Sequence, residues 1–117
     1  MAGAIIYDSK YGVTEQYARW IAAATGLPVY SVADPEAMPE RSDFLVLGSP
    51  VIYYKVLIGA WVRWHIDALL ERPVIFFTVS GRPPGAMLDR WISDSLPRAF
   101  TDHMRYFYLR GRLDVHQ

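Results

Sequence analysis

Three short runs, Ala4-Ile5-Ile6-Tyr7, Phe44-Leu45-Val46-Leu47 and Val74 to Val79, are apolar at nearly every position and lack the polar alternation of a strand with one wet face. Such runs suit strands buried on both faces, and these occur in parallel sheets covered by helices above and below. The segments between them carry the other period. From Thr14 to Ala24 the residues Tyr17, Trp20, Ile21 and Ala24 recur at helical spacing, with Glu15, Gln16 and Arg19 on the opposite side. Gly26 and Pro28 stop that helix.

The rest of the chain repeats the alternation. Val29 to Val32 reads as a short strand, and the proline- and acid-rich stretch Asp34 to Arg41 as a turn of helix. Trp61, Val62, His65, Ile66, Leu69 and Leu70 define one helix face, closed by Pro73. Met87, Leu88, Trp91, Ile92 and Leu96 define another, ending at Pro97, and Met104 to Leu109 reads as a last strand. The order β-α-β-α-β-α-β-α-β predicts one α/β domain over residues 1–117, with a five-stranded parallel sheet doubly wound by right-handed crossovers. At 117 residues and 52% hydrophobic content, the chain can bury one core but not two.

In such a sheet, ligands bind beyond the carboxyl ends of the strands, where the strand order reverses. Three loops leave that edge. Ser9-Lys10-Tyr11-Gly12-Val13-Thr14 runs from the first strand into the helix opening at Val13. Hydroxyls at both ends, a central glycine, free backbone N–H groups and the positive end of a helix dipole make it a cup for an anion, above all a phosphate. Ser49-Pro50-Val51-Ile52-Tyr53-Tyr54-Lys55 follows the second apolar run and is read as an aromatic-rich loop, and Ser80-Gly81-Arg82 opens the loop after the third.

Composition excludes several other functions. Twelve basic and twelve acidic residues balance, so no overall field favours nucleic acid or an anionic membrane. No apolar run approaches the roughly 20 residues of a membrane helix. The absence of a basic, apolar leader makes export unsupported and a cytoplasmic home the default expectation. Without cysteine there is no disulfide and no thiolate chemistry. His65, His103 and His116 lack ligand spacing, so no metal site is expected, and Trp20, Trp61, Trp64 and Trp91 read as core or interface bulk. Gly48-Ser49-Pro50 stands where a phosphorelay receiver would need an aspartate, and no G-x-G-x-x-G follows the first strand.

Together the three loops resemble those of the flavodoxin family, over nearly the whole chain to about Val115. Ser9 to Thr14 is similar to that family's phosphate loop, Gly48 to Tyr54 to its second loop, and Thr78-Val79-Ser80-Gly81-Arg82 falls where its third lies. The resemblance implies flavin mononucleotide (FMN) as cofactor and a strand order 2-1-3-4-5. It implies phosphate held by Ser9, Gly12, Val13 and Thr14 with Lys10 adding charge, and Tyr53 or Tyr54 stacked on the isoalloxazine with Ser49, Pro50, Val51 and Ile52 in the same loop. Backbone around Val79, Ser80 and Gly81 would meet the ring's polar edge, with Arg82 beside it. Tyr11 stands where many family members carry threonine, which removes one hydroxyl or hands its place to a backbone N–H.

A flavodoxin also continues past its fifth strand into a helix beside the first, and here Gly111-Arg112-Leu113-Asp114 resembles only the approach to it. The expectation is therefore a fold lacking the final helix, with apolar sheet left open beside helix 1 and a homo-oligomer covering it. The function implied is electron transfer to a redox partner protein or a quinone, with no catalytic side chain required. A flavodoxin-type protoporphyrinogen oxidase and a flavin-free interaction module on the same fold are the alternatives.

Overall fold

The computed structural model describes residues 2–110, with Arg110 described by its backbone alone. Five parallel strands form the sheet: β1 (Gly3–Tyr7), β2 (Val29–Ser31), β3 (Phe44–Ile52), β5 (Val74–Ser80) and β6 (Arg105–Arg110), in the order β2-β1-β3-β5-β6. The two-residue strand β4 (Lys55–Val56) pairs antiparallel with the far end of β3 and lies off this path. Counting the five parallel strands alone, the order is the expected 2-1-3-4-5.

Helix α1 (Val13–Thr25) begins and ends within a residue of where the periodicity places it, between Gly12 and Gly26 in left-handed conformation. The Gly26 N–H closes the last turn on the Ala22 carbonyl at 2.8 Å. The acid-rich segment makes a 3-10 turn over Pro39–Arg41. The third helical stretch is broken in two, α2 (Gly59–Trp64) and α3 (Ile66–Leu70), because His65 leaves helical geometry at φ −107°, ψ 18°. Beyond α4 (Ala86–Ser95) the chain adds a helix that the periodicity did not announce, α5 (Arg98–His103), started by Pro97 and six residues long. The expected absence of a helix after the last strand concerns residues 111–117, outside the described ones.

Strand alternation divides the core. Ala4, Ile6, Leu45, Leu47, Val74 and Phe76 point to one face, where Val62, Leu69, Leu88, Ile92 and Phe100 from the four short helices pack on them. Ile5, Tyr7, Val46, Phe77 and Val79 point to the other, which α1 covers with Ala18, Tyr17 and Ile21. Burial, then the Glu15 carboxylate, raises the Tyr7 phenol pKa above its ordinary value.

On the α1 face, two phenylalanines lie over neighbouring glycines. A Cβ on Gly3 would lie 2.2 Å from the ring of Phe44, and one on Gly48 2.2 Å from the ring of Phe77, both in steric clash. Beyond these rings α1 no longer reaches. Among the described residues, an apolar groove of about 510 Å³ lies open between α1 and β6, walled by Ile21, Leu27, Val46, Phe77, Phe107 and Leu109, with Phe107 55% exposed. The four tryptophans divide by exposure. Trp61 and Trp91 pack partly buried against the larger core, while Trp20 and Trp64 are exposed. No helix among the described residues is long and apolar enough to cross a membrane.

Candidate functional site

The strand order reverses between β1 and β3, and a cleft of about 320 Å³ opens at the carboxyl ends of β1, β3 and β5. Its walls come from all three predicted loops: Ser9, Lys10, Tyr11, Val13 and Thr14 from the first; Pro50, Val51, Ile52 and Tyr53 from the second; Val79, Ser80 and Gly81 from the third.

The first loop is held open toward the cleft. The Gly12 N–H donates to the Ser9 hydroxyl oxygen at 3.1 Å, folding the loop on itself, and Gly12 takes φ +89°, which an L side chain rarely adopts. Helix α1 has no side-chain cap, and among the described residues the N–H groups of Val13, Thr14 and Glu15 meet no protein acceptor. These donors and the helix dipole converge on one wall. A Cβ at Gly12 or Gly81 would meet no heavy atom within 4 Å, so both backbones face open space. Lys10 reaches over the same wall, its Nζ 5.7 Å from the ring centroids of Tyr11 and Tyr53.

Asp8 sits at the base of this loop, accepting the Ser9 N–H at 3.0 Å. Burial raises its carboxyl pKa above the usual carboxylate value, and the Ser9 N–H opposes that shift in part.

The second loop is a hairpin. β3 runs on to Ile52, the chain turns at Tyr53-Tyr54, and Lys55 pairs with Ile52. A two-residue hairpin turn of this kind takes φ above zero at both central residues and normally carries Asn-Gly. Here both are tyrosines, at φ 52° and 69°. The turn separates the two stacking candidates. Tyr53, 76% exposed, lines the cleft, whereas Tyr54 leans edge-on against Trp91 with centroids 4.9 Å apart.

Of the remaining predicted residues, Gly12 shapes its loop without lining the cleft, and Ser49 is fully buried. The Ser49 hydroxyl accepts the Ile58 N–H at 3.0 Å and donates to the Pro50 carbonyl at 3.0 Å, tying β3 to α2, so it stands outside the cleft. Arg82 also lies outside it, its guanidinium 5.2 Å from the Trp91 ring.

Two residues that periodicity treats as packing hold these loops. Trp91 meets both Tyr54 and Arg82, joining the second and third loops. The Tyr108 hydroxyl reaches the carbonyl oxygens of Arg82 at 2.7 Å and Ser80 at 3.1 Å, fixing the third loop from β6. No local pattern marks either role, because the Arg82 contact of Trp91 spans 9 positions and the other partners lie 26 to 37 positions away. Beneath them the Thr78 and Tyr106 hydroxyls are hydrogen-bonded, and burial raises the Tyr106 pKa. Among the histidines, His65 packs on Trp61 and His103 Nε2 meets the Arg72 carbonyl, both away from the cleft.

The donor set suits a phosphorylated, planar ligand: free N–H groups and one lysine at one end, tyrosine and aliphatic walls in the middle, exposed backbone at the other. Comparisons with known proteins place the fold. Solved structures of the same fold include a flavodoxin, WrbA-like protein from Agrobacterium tumefaciens, 15% identical over 98% of this chain and 86% of that one, at TM-score 0.69. Flavodoxin 1 from Bacillus cereus is 16% identical over 99% and 88% at 0.66. A flavoprotein from Lactobacillus acidophilus, solved in complex with FMN, is 13% identical over 93% and 91% at 0.64. No curated protein sequence matches. The family profile of the flavodoxin domain matches residues 4–117, nearly the whole chain, and the chain belongs to that family.

Proposed function

We propose that the cleft binds FMN and that the protein transfers electrons between the bound flavin and a redox partner, a protein or a quinone. The observation that carries this reading is the meeting, at the switch point of the sheet, of an uncapped helix start with Lys10 and a tyrosine-tipped hairpin. When bound, FMN supplies the electron storage. The chain's own residues bind and orient it. The N–H groups of Val13 and Thr14, the Ser9 and Thr14 hydroxyls and Lys10 take the phosphate. Tyr53 covers the ring, with Val51, Ile52 and Val79 excluding water, and the backbone of Ser80 and Gly81 faces its polar edge.

Absorbance in the near-ultraviolet and blue, measured on the purified protein, tests the assignment. Flavin bands that survive desalting are expected. A protein that is colourless, and remains so after incubation with FMN and desalting, would sink it.

The open apolar groove beside α1 supports a second part of the reading, self-association that covers Phe107 and Leu109 with a second copy. Light scattering at micromolar concentration is expected to give more than the monomer mass of 13.4 kDa. A sharp monomer would remove that part. A cytoplasmic setting belongs to the same proposal, and a chain without cysteine has no disulfide for a reducing compartment to break.

A further inference from the structure

We infer that the electron-transfer partner of this cleft is a protein with an acidic patch, docking on a cationic surface around the hairpin. The inference rests on the flavin reading above. The formal charge is zero, yet its distribution is uneven. Four cations away from the cleft have partners, Arg19 with Glu15, Arg41 with Glu36, Arg72 with Glu71 and Arg98 with Asp102, while Arg90 and Arg105 have none among the described residues. Around the mouth, Lys10, Lys55, Arg63 and Arg82 form no such pair among the described residues.

Their placement follows from contacts already given. Lys10 lies between Tyr11 and Tyr53 on one side of the hairpin, and Arg82 packs on Trp91, which in turn holds Tyr54. Lys55 and Arg63 line a second, polar cleft of about 340 Å³ on the far side of Tyr54, where Asp94 is the single acid. Arg63 is held there by a hydrogen bond to the Ser95 carbonyl. Asp8 is half-buried with its charged form disfavoured, whereas Asp89, close enough to Tyr106 to raise its pKa, is exposed on the first turn of α4. With Lys10 engaged by the phosphate, Lys55, Arg63 and Arg82 thus stand with two exposed acids, Asp89 and Asp94.

The cations are distributed over two loops, a hairpin and a helix, lining two clefts instead of converging in one. That suits a broad docking surface more than a single small anion. The hairpin tip adds two exposed tyrosines, at 76% and 67% exposure, the kind of side chain that dominates binding at protein interfaces. A cationic rim steers an acidic partner to the mouth and repels a basic one.

The test uses two haem proteins as probes, acidic cytochrome b5 and basic cytochrome c. Carbodiimide, which joins lysine amines to carboxylates without a spacer, is applied at about 10 mM and about 200 mM NaCl, spanning Debye lengths from roughly 30 Å to under 10 Å. The expected result is a one-to-one product with cytochrome b5 whose joined peptide contains Lys55, formed at low salt and suppressed at high salt. Arg63→Glu combined with Lys55→Glu should reduce it about tenfold, and Lys55→Glu alone by a smaller factor should the double variant fail to fold. In stopped flow, reduced protein should pass electrons to cytochrome b5 at a rate that falls with salt.

Preferred cross-linking to cytochrome c, or yields that ignore salt and charge reversal, would overturn the inference. So would electron transfer to a neutral quinone alone, with no protein product. Cross-linking needs no flavin, so a colourless protein would end the flavin reading separately, whereas a yellow protein without the cytochrome b5 product would end only this one.

Discussion

At the residue scale, the hairpin turn shows a local rule set aside. Tyr53 and Tyr54 occupy a left-handed conformation that costs an L side chain about 1–2 kcal/mol per residue, and together they gain only an edge contact to Trp91 and a lysine over one ring. Strain of this kind is retained where it places a side chain that function needs. Replacing the pair by Asn-Gly should therefore stabilise the protein, by about 1 kcal/mol after loss of the Trp91 contact, and weaken flavin binding at the same time. Urea midpoints and flavin titration measure the two effects. A less stable Asn-Gly protein would show that the tyrosines stabilise the fold instead.

Asp8 gives a second residue-scale test, with a definite sign. Its folded pKa lies above the ordinary 3.8, so the ionised carboxylate costs stability at neutral pH, and that cost vanishes as pH falls through the raised value. Asp8→Asn keeps an oxygen for the Ser9 N–H and carries no charge. Its melting temperature should exceed that of the parent at pH 7, the gap closing as pH falls toward 3.8. A gap that widens on acidification would contradict the assignment.

At the scale of elements, the sequence carried the sheet and missed the joints. The doubly apolar runs located β1, β3 and β5 because burial on both faces leaves no polar position, and the Tyr17-Ile21 spacing located α1 because one stripe faces the sheet. The break at His65 and the helix α5 went unread, since a six-residue helix holds too few turns to show a period. The strand pair at 51–56 was hidden because Tyr-Tyr is no hairpin signal. For the cleft, the loops were legible and the struts were not. Ser49 looks like a ligand in sequence and is a buried tie, while Tyr108 looks like packing and fixes a loop.

The glycine pairs belong to this scale as well. A methyl group on Gly48 would lie 2.2 Å from the Phe77 ring, so Gly48→Ala must drive that ring toward the open groove. We expect a loss of about 1–3 kcal/mol, read from urea midpoints. An unchanged midpoint would mean that the groove accepts the ring without strain.

For the whole molecule, charge governs the redox expectation. An acidic surface disfavours adding an electron to an already reduced flavin, whereas Lys10, Lys55 and Arg82 stand in or beside the loops of this cleft. The second one-electron reduction should thus lie less negative than in an acidic flavodoxin. Spectroelectrochemistry measures it, and a markedly lower value would show that local geometry outweighs the charge.

The helix α1 also has a double duty that reaches beyond either of its ends. Its first turn supplies the free donors of the cleft, and its stripe is the cover for one face of the sheet among the described residues. An anion that grips the first turn therefore clamps that stripe as well. Occupancy of the cleft and closure of the smaller core become one linked equilibrium, in which loss of ligand lowers the free energy needed for α1 to lift and for its apolar seat to meet solvent.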